Sequence, residues 1–261
     1  MSDLKPTIPE GSLILVTGAT GFVASHTVAQ LLHRGYKVRG TVRDLESASW
    51  LTSDVFKSEA ERGDLELVAV PDLGAPHAFD ESVKGVAGII HIATITDLNP
   101  DPNVTVPRTV AGVSTILEAA AKESSIKELV YTGSQLAVMS SYKGNKTHVV
   151  RDTWNDAMVE VAWAPPPYGP DRAFPVYAAS KVAAEKEVWR FVSEEKPHFT
   201  VNVVSPSAII GRPLHKKHAD SPIAWITHLW NGVSEALKPV FASKRVPSLS
   251  SRIVPEQSES K

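Results

Sequence analysis

Tyr177 and Lys181 stand four residues apart in the run PVYAASKVAAEKEVW, Pro175 to Trp189. On a helix that spacing puts both side chains on one face. A phenol with a pKa of about 10 is a poor proton carrier at neutral pH. An ammonium beside it favours the phenolate and draws the group towards the working range. The two residues are therefore a candidate proton donor and the charge that tunes it. The same spacing recurs at Tyr142 and Lys146 in SYKGNKT, but Gly144 and Asn145 between them imply a turn, and the shared face is lost. Ser134, in VYTGSQL, follows an apolar run that reads as a strand. In doubly wound sheets ligands bind at the carboxyl ends of the strands, so its hydroxyl could hold the oxygen that Tyr177 protonates.

A second constellation lies near the amino end, in LILVTGATGFVASHTVAQLL. An apolar strand ends at Thr17. Gly18, Gly21 and Ala24 then lead into an apolar-periodic helix. Gly18 permits a tight turn, and the missing Cβ at Gly21 lets backbone amides approach a pyrophosphate at the helix start. Ala24 lets helix and strand pack closely. Which dinucleotide is bound turns on the end of the second strand, YKVRGTVRD. A carboxylate there would bind the ribose hydroxyl of NAD; an arginine accommodates the extra phosphate of NADP. Arg43 occupies that place and favours NADP, with a solvated arginine paired to Asp44 as the alternative.

These residues need a scaffold to bring them together. Ser12–Thr17, Lys37–Val42, Leu65–Val70, Gly88–Ala93, Glu128–Gly133 and Thr200–Ser205 read as strands, several apolar nearly throughout, as in sheets covered on both faces. Helical patterns lie between them at Phe22–Arg34, about Glu46–Arg62, Pro107–Lys122 and Val176–Glu195. The alternation predicts an α/β fold: a Rossmann-type, doubly wound parallel sheet. Trp163–Pro175 carries five prolines and reads as a loop. Residues 1–205 are expected to form the dinucleotide-binding domain with its catalytic helix, 206–240 a small and incomplete substrate lobe, and 241–261 a polar, disordered tail.

Composition narrows the function. Of 261 residues 43% are apolar and 21% charged, the formal charge is −2, and there is no cysteine. That profile suits a globular domain and disfavours nucleic acid, a membrane surface, a disulfide framework or a thiolate metal site. The amino end lacks the apolar core of a signal peptide, which makes cytoplasm the expected location. His215 and His218, in HKKHAD with Asp220, read as polar loop, and no metal is expected. His91 reads as packing at a strand end, and Trp154 and Trp163 as anchors of the loop before the Tyr177 helix.

Taken together, TGATGFVA, PDLGAPHAFDESVKGVAGIIHIAT, VYTGSQ, WNDAMVEVAWAPPPY and VYAASKVAAEK resemble the extended short-chain dehydrogenase/reductase superfamily, the NAD-dependent epimerase/dehydratase family. They are most similar to its NADP-dependent aldehyde and ketone reductase branch, which includes dihydroflavonol and cinnamoyl-CoA reductases. The resemblance runs from roughly Ser12 to Val233. It implies Ser134 as catalytic serine, Tyr177 as general acid/base and Lys181 as the lysine that also binds the nicotinamide ribose. It implies Thr17, Gly18, Ala19, Thr20, Gly21, Phe22 and Val23 around the pyrophosphate. Asp72 and Leu73 would lie beside the adenine, Ala93 and Thr94 along ribose and phosphate, and Pro206 beside the nicotinamide. The reaction implied is NADPH-dependent reduction of a small carbonyl compound to an alcohol, by a monomer or homodimer. A NAD-dependent epimerase, a hydroxysteroid dehydrogenase and a non-catalytic dinucleotide-binding protein are the alternatives on the same fold. Two departures stand out: Ser205 and Arg212 replace the asparagine and proline common in relatives, and relatives continue past Asn231–Gly232, which implies a shortened substrate wall here.

Overall fold

The structure is a computed structural model that describes residues 6–139 and 148–218. Tyr142 and Lys146, Asp220, the tail and most of the expected substrate lobe lie outside the described residues.

Six strands form where the apolar runs place them: β1 (Leu13–Val16), β2 (Lys37–Val42), β3 (Leu65–Ala69), β4 (Gly88–His91), β5 (Glu128–Thr132) and β6 (Thr200–Val204). They make one sheet in the order β3-β2-β1-β4-β5-β6, with every neighbouring pair parallel. Strand order reverses between β1 and β4. Their carboxyl ends diverge into loops at that point, and the crevice of a doubly wound sheet opens there.

The helices are α1 (Phe22–His33), α2 (Leu45–Ala48), α3 (Lys57–Glu61), α4 (Pro102–Lys122), α5 (Gln135–Val138), α6 (Asp156–Trp163) and α7 (Ala173–Glu195). The apolar pattern alternates across the sheet and packs a different layer on each face. On one, Leu15, Ile89 and Leu129 pack with Ile116 and Leu117 of α4 and Val188 and Phe191 of α7. On the other, Val16, Val38 and Val42 pack with Val28 of α1 and with Trp50, Leu51 and Phe56. Each fully buried aliphatic side chain contributes roughly 1.5–3 kcal/mol.

The structure departs from the sequence expectations in four places. The helix expected over 46–62 is broken by a π-helical turn at Leu51–Val55. The Phe56 amide donates to Leu51 O, five residues back, and this wider turn buries Trp50, Leu51 and Phe56 together. α4 starts five residues before Pro107, because Asp101 caps it by accepting from the Asn103 amide while Thr105 Oγ1 donates to Asn99 O. α7 takes in Ala173–Pro175 from the expected loop; in a first helical turn proline loses no hydrogen bond. Finally, α6 forms where no helix was expected and sets Val159 and Ala162 against Val176 and Ala179 of α7. The prolines between α6 and α7 do form a loop, tied by Arg172, whose guanidinium donates to the carbonyls of Ala164 and Pro165.

Candidate active site

The glycine-rich turn is held by its neighbours. Gly18 has a φ of +69°, and a Cβ there would meet Ala93 Cβ at 3.1 Å, so the position suits glycine on both counts. The Gly18 amide donates to Thr41 Oγ1 at 3.1 Å and the Ala19 amide to Thr41 O at 2.9 Å. Ala19 packs so closely on β2 that a Cβ at Gly40 would fall 2.7 Å from Ala19 Cβ. The Gly21 amide donates to Gly18 O, closing the turn ahead of α1. Phe22 and Val23 open that helix, Phe22 with its ring against His26 and His218. Thr20 O accepts from His218 Nε2 at 3.1 Å, while the Thr20 amide has no partner among the described residues.

Thr17 works inward. Its Oγ1 accepts from the amides of Ile92 and Ala93 at 2.9 and 3.0 Å. With both lone pairs engaged, its proton goes to His91 Nδ1, 3.0 Å away. His91 is therefore the Nε2–H tautomer, and burial holds its pKa down to about 3. The Thr17 side chain thus bolts β1 to the end of β4. Beside it, Thr94 Oγ1 is buried without a partner among the described residues, an open hydroxyl of the kind a ribose or phosphate could satisfy.

Arg43 is exposed at the end of β2 and has no hydrogen bond or ion pair among the described residues. Asp44 does not pair with it: its carboxylate accepts from the Ser47 amide at 2.8 Å and caps α2, which lowers its pKa. Asp72 is exposed and turns Oδ1 to the Gly74 amide at 2.9 Å. The Leu73 side chain packs at the edge of the core, and its carbonyl accepts from Thr115 Oγ1 at 2.6 Å.

The chemistry-bearing residues meet across β5, β6 and α7. Ser134 caps α5, its Oγ accepting from the Leu136 amide at 3.2 Å, and only 8% of the residue is exposed. The next residue, Gln135, donates its amide to Pro206 O at 2.9 Å, which brings Pro206 to the Ser134 turn. Burial raises the pKa of the Tyr177 phenol, and a hydrogen bond with Ser134 pulls it partly back. Lys181 follows Tyr177 by one turn of α7. Its Nζ donates to Thr132 O at 3.3 Å and lies 5.4 Å from the centre of the Tyr131 ring. Burial lowers this ammonium to about 8, opposed by the charge of Glu185.

Several participants were not legible beforehand. Tyr131 is buried with its hydroxyl unpartnered among the described residues and its ring stacked at 6.0 Å on His91. Glu185 is buried one turn beyond Lys181. Asn155 ties α6 to the serine turn, donating through Nδ2 to Leu136 O at 2.8 Å. The two histidines of HKKHAD lie against an aromatic wall: His215 stacks on Trp50 at 4.2 Å and His218 meets the same ring edge-on. Trp154 carries Lys186 over its ring at 5.2 Å, and Trp163 is 47% exposed. No helix among the described residues is long and apolar enough to cross a membrane.

A glycine-rich turn at the switch point of a parallel sheet of order β3-β2-β1-β4-β5-β6 defines a Rossmann-type α/β protein. Comparison with known proteins narrows the class: residues 14–240 match the NAD dependent epimerase/dehydratase family, and the chain belongs to it. It is 40% identical over 228 residues to the NAD-dependent epimerase/dehydratase terH of Aspergillus terreus, covering 87% of this chain and 67% of that one. It is 41% identical over 235 residues to Aldehyde reductase 2 of Sporidiobolus salmonicolor, with 88% and 67% covered. In fold it is similar to the yeast methylglyoxal/isovaleraldehyde reductase Gre2 complexed with NADPH, with a TM-score of 0.64 and 27% identity over 80% of this chain and 61% of that one. The chain thus spans about two thirds of the length of these relatives.

Proposed function

We propose that the chain is an NADPH-dependent oxidoreductase that reduces the carbonyl of a small aldehyde or ketone to an alcohol. The observation that carries this reading is the meeting of Ser134 and Tyr177, close enough for the serine to pull the phenol's pKa back, with Lys181 on the same helix face, beside the strand ends that hold the glycine-rich turn. The likeness to an aldehyde reductase and to an NADPH-bound reductase supports it.

The residues around the crevice fit a dinucleotide. Gly18 and Gly21 leave room for close backbone approach, the Thr20 amide and Thr94 hydroxyl are free to bond, and Arg43 is uncommitted where an extra ribose phosphate would sit. Thr17 keeps Ala93 against Gly18 and so fixes the floor of the site. Asp72, Leu73 and Pro206 complete its rim in the roles the family resemblance gives them.

NADPH, when bound, supplies a hydride to the carbonyl carbon. The chain's own residues handle the oxygen. An alkoxide is far more basic than a phenolate, so the donor must hold its proton at neutral pH and still give it up to the product oxygen. Burial does the first by raising Tyr177. Ser134 hydrogen-bonds the same oxygen and orients it. Lys181 supplies the positive charge behind the phenol and a donor for the nicotinamide ribose.

The test uses the purified chain. Fluorescence titration with NADPH and NADH reads binding, and absorbance reads NADPH oxidation against a panel of aldehydes and ketones. Preferential NADPH binding with carbonyl-dependent oxidation is the expected result. Binding without oxidation would leave a non-catalytic dinucleotide-binding protein, and tight NAD retention would turn the reading to an epimerase.

A further inference from the structure

On the face of α7 that carries Tyr177 and Lys181, the next residue at the same spacing is Glu185. Only 8% of it is exposed. A buried carboxylate is costly unless it is bonded and matched by charge. Glu185 Oε2 accepts from Ser205 Oγ at 3.4 Å, and Trp189, a further turn along, also favours the ionised carboxylate. Gly133 makes the room: a Cβ there would lie 3.0 Å from Glu185 Oε2 and 2.7 Å from Ser205 Oγ. Lys181 Nζ rests 3.3 Å from the carbonyl oxygen of Thr132, the residue before that glycine. Carboxylate and ammonium therefore lie against consecutive residues of one strand end, close but not in direct contact.

We propose that Glu185 is a positioning residue for Lys181: its carboxylate, anchored by Ser205 and Trp189 under Gly133, keeps the ammonium charged and seated behind Tyr177. This rests on the reading of Tyr177 and Lys181 as the proton-transfer pair. The other titratable groups facing the ammonium supply no anion. Tyr177, on the same helix, and Tyr131, on β5, are phenols that burial holds protonated. His91, on β4, is neutral at its pKa of about 3. Among the described residues Glu185 alone opposes the burial that draws Lys181 down to about 8. The effect is reciprocal. Burial raises the Glu185 carboxyl, and Trp189, Ser205 and Lys181 pull it back towards ionisation.

Glu185→Gln removes the charge and keeps an oxygen for Ser205 and Trp189; Glu185→Asp keeps the charge and withdraws it. The first measurement is the titration of Lys181 by NMR of isotopically labelled lysine methylenes, assigned with Lys181→Met. The midpoint should fall in the order wild type, Asp, Gln, by roughly half a unit to one unit for Gln, a three- to tenfold rise in the acid dissociation constant. The second is the pH profile of NADPH-dependent carbonyl reduction, whose alkaline limb should move down by the same amount in Gln and less in Asp. Near-UV circular dichroism checks the fold. If the Gln variant does not fold, a lowered midpoint in Asp supports the proposal and an unchanged one overturns it. An unchanged Lys181 midpoint in a folded Gln variant also overturns it. If wild type shows no carbonyl reduction, the functional reading fails, and the NMR titration still decides whether Glu185 governs Lys181.

Discussion

Two stretches of the sheet's carboxyl edge are built in opposite ways. Where β1, β2 and β4 end, polar groups are paired inside the fold. Thr17 Oγ1 takes two amide protons and gives its own to His91, and Thr41 receives the amides of Gly18 and Ala19 through its side chain and backbone. Where β5 and β6 end, polar groups are buried with less than they could use. Among the described residues the Tyr131 hydroxyl has no partner, Lys181 has one carbonyl and a ring face, and the Tyr177 and Glu185 pKa values are pushed up. The first stretch is a rigid frame that leaves Arg43, Thr94 and the Thr20 amide to meet a ligand. The second keeps ionisable groups away from water, where small changes in charge move protons. Such clusters of perturbed groups gather at reactive sites.

If that division is right, variants on the two sides should fail differently. The largest effect is expected from Tyr177→Phe, which removes the proton donor and leaves the frame alone. Carbonyl reduction should fall by ~10²–10⁴-fold while the NADPH dissociation constant stays within about threefold. Turnover at the wild-type rate would break the comparison outright. Next comes Arg43→Gln on the frame side. A charged hydrogen-bond pair contributes about 1.5–3 kcal/mol, so NADPH should bind about ten- to a hundredfold more weakly and NADH as before. Equal losses for both cofactors would mean that Arg43 does not read the extra phosphate. Thr17→Val should cost ~1–3 kcal/mol in urea unfolding, because the amides of Ile92 and Ala93 and the ring of His91 all lose their partner. A neutral outcome would show that water replaces the hydroxyl and that the frame is not dry.

The two sides were also unequally legible in the sequence. Gly18 announced itself because its turn demands a positive φ, and Tyr177 and Lys181 because helical spacing is local arithmetic. The strands appeared within a residue or two because both of their faces are apolar. The bonds of Thr17 Oγ1 to the end of β4 could not be read, because no local pattern reveals a partner some 75 residues away. Glu185 looked like one more charge in the alanine-rich helix. Its burial depends on Gly133 and Ser205 arriving from two other segments, and on a Cβ that is missing at one of them. The turn at Leu51–Val55 was hidden for the same reason: three large apolar side chains decide its register through tertiary packing. The spacing of Lys181 from Tyr177 was local, but the bond of its ammonium to Thr132 O depends on where β5 ends and was not readable.

The smallest expected effect is also the one that separates the two stretches most cleanly, because its sign is opposite. Burial lowers the Lys181 ammonium from 10.5 to about 8. Below the folded value the charge is present in both states, and its desolvation opposes folding in full. Between the two values the unfolded chain holds the proton and the folded chain does not, so stability owed to this residue rises with pH. Above the upper value neither state is charged and the penalty is gone. Lys181→Met should therefore stabilise the fold at pH 7 by on the order of 1 kcal/mol, an advantage that shrinks as the pH is raised from 8 towards 10. Urea unfolding of both proteins across that range measures the difference. A gain that stays constant with pH would trace to packing of the methionine rather than to the buried charge. A loss at pH 7 would mean that Lys181 belongs with Thr17 in the frame, as a bonded strut between α7 and Thr132.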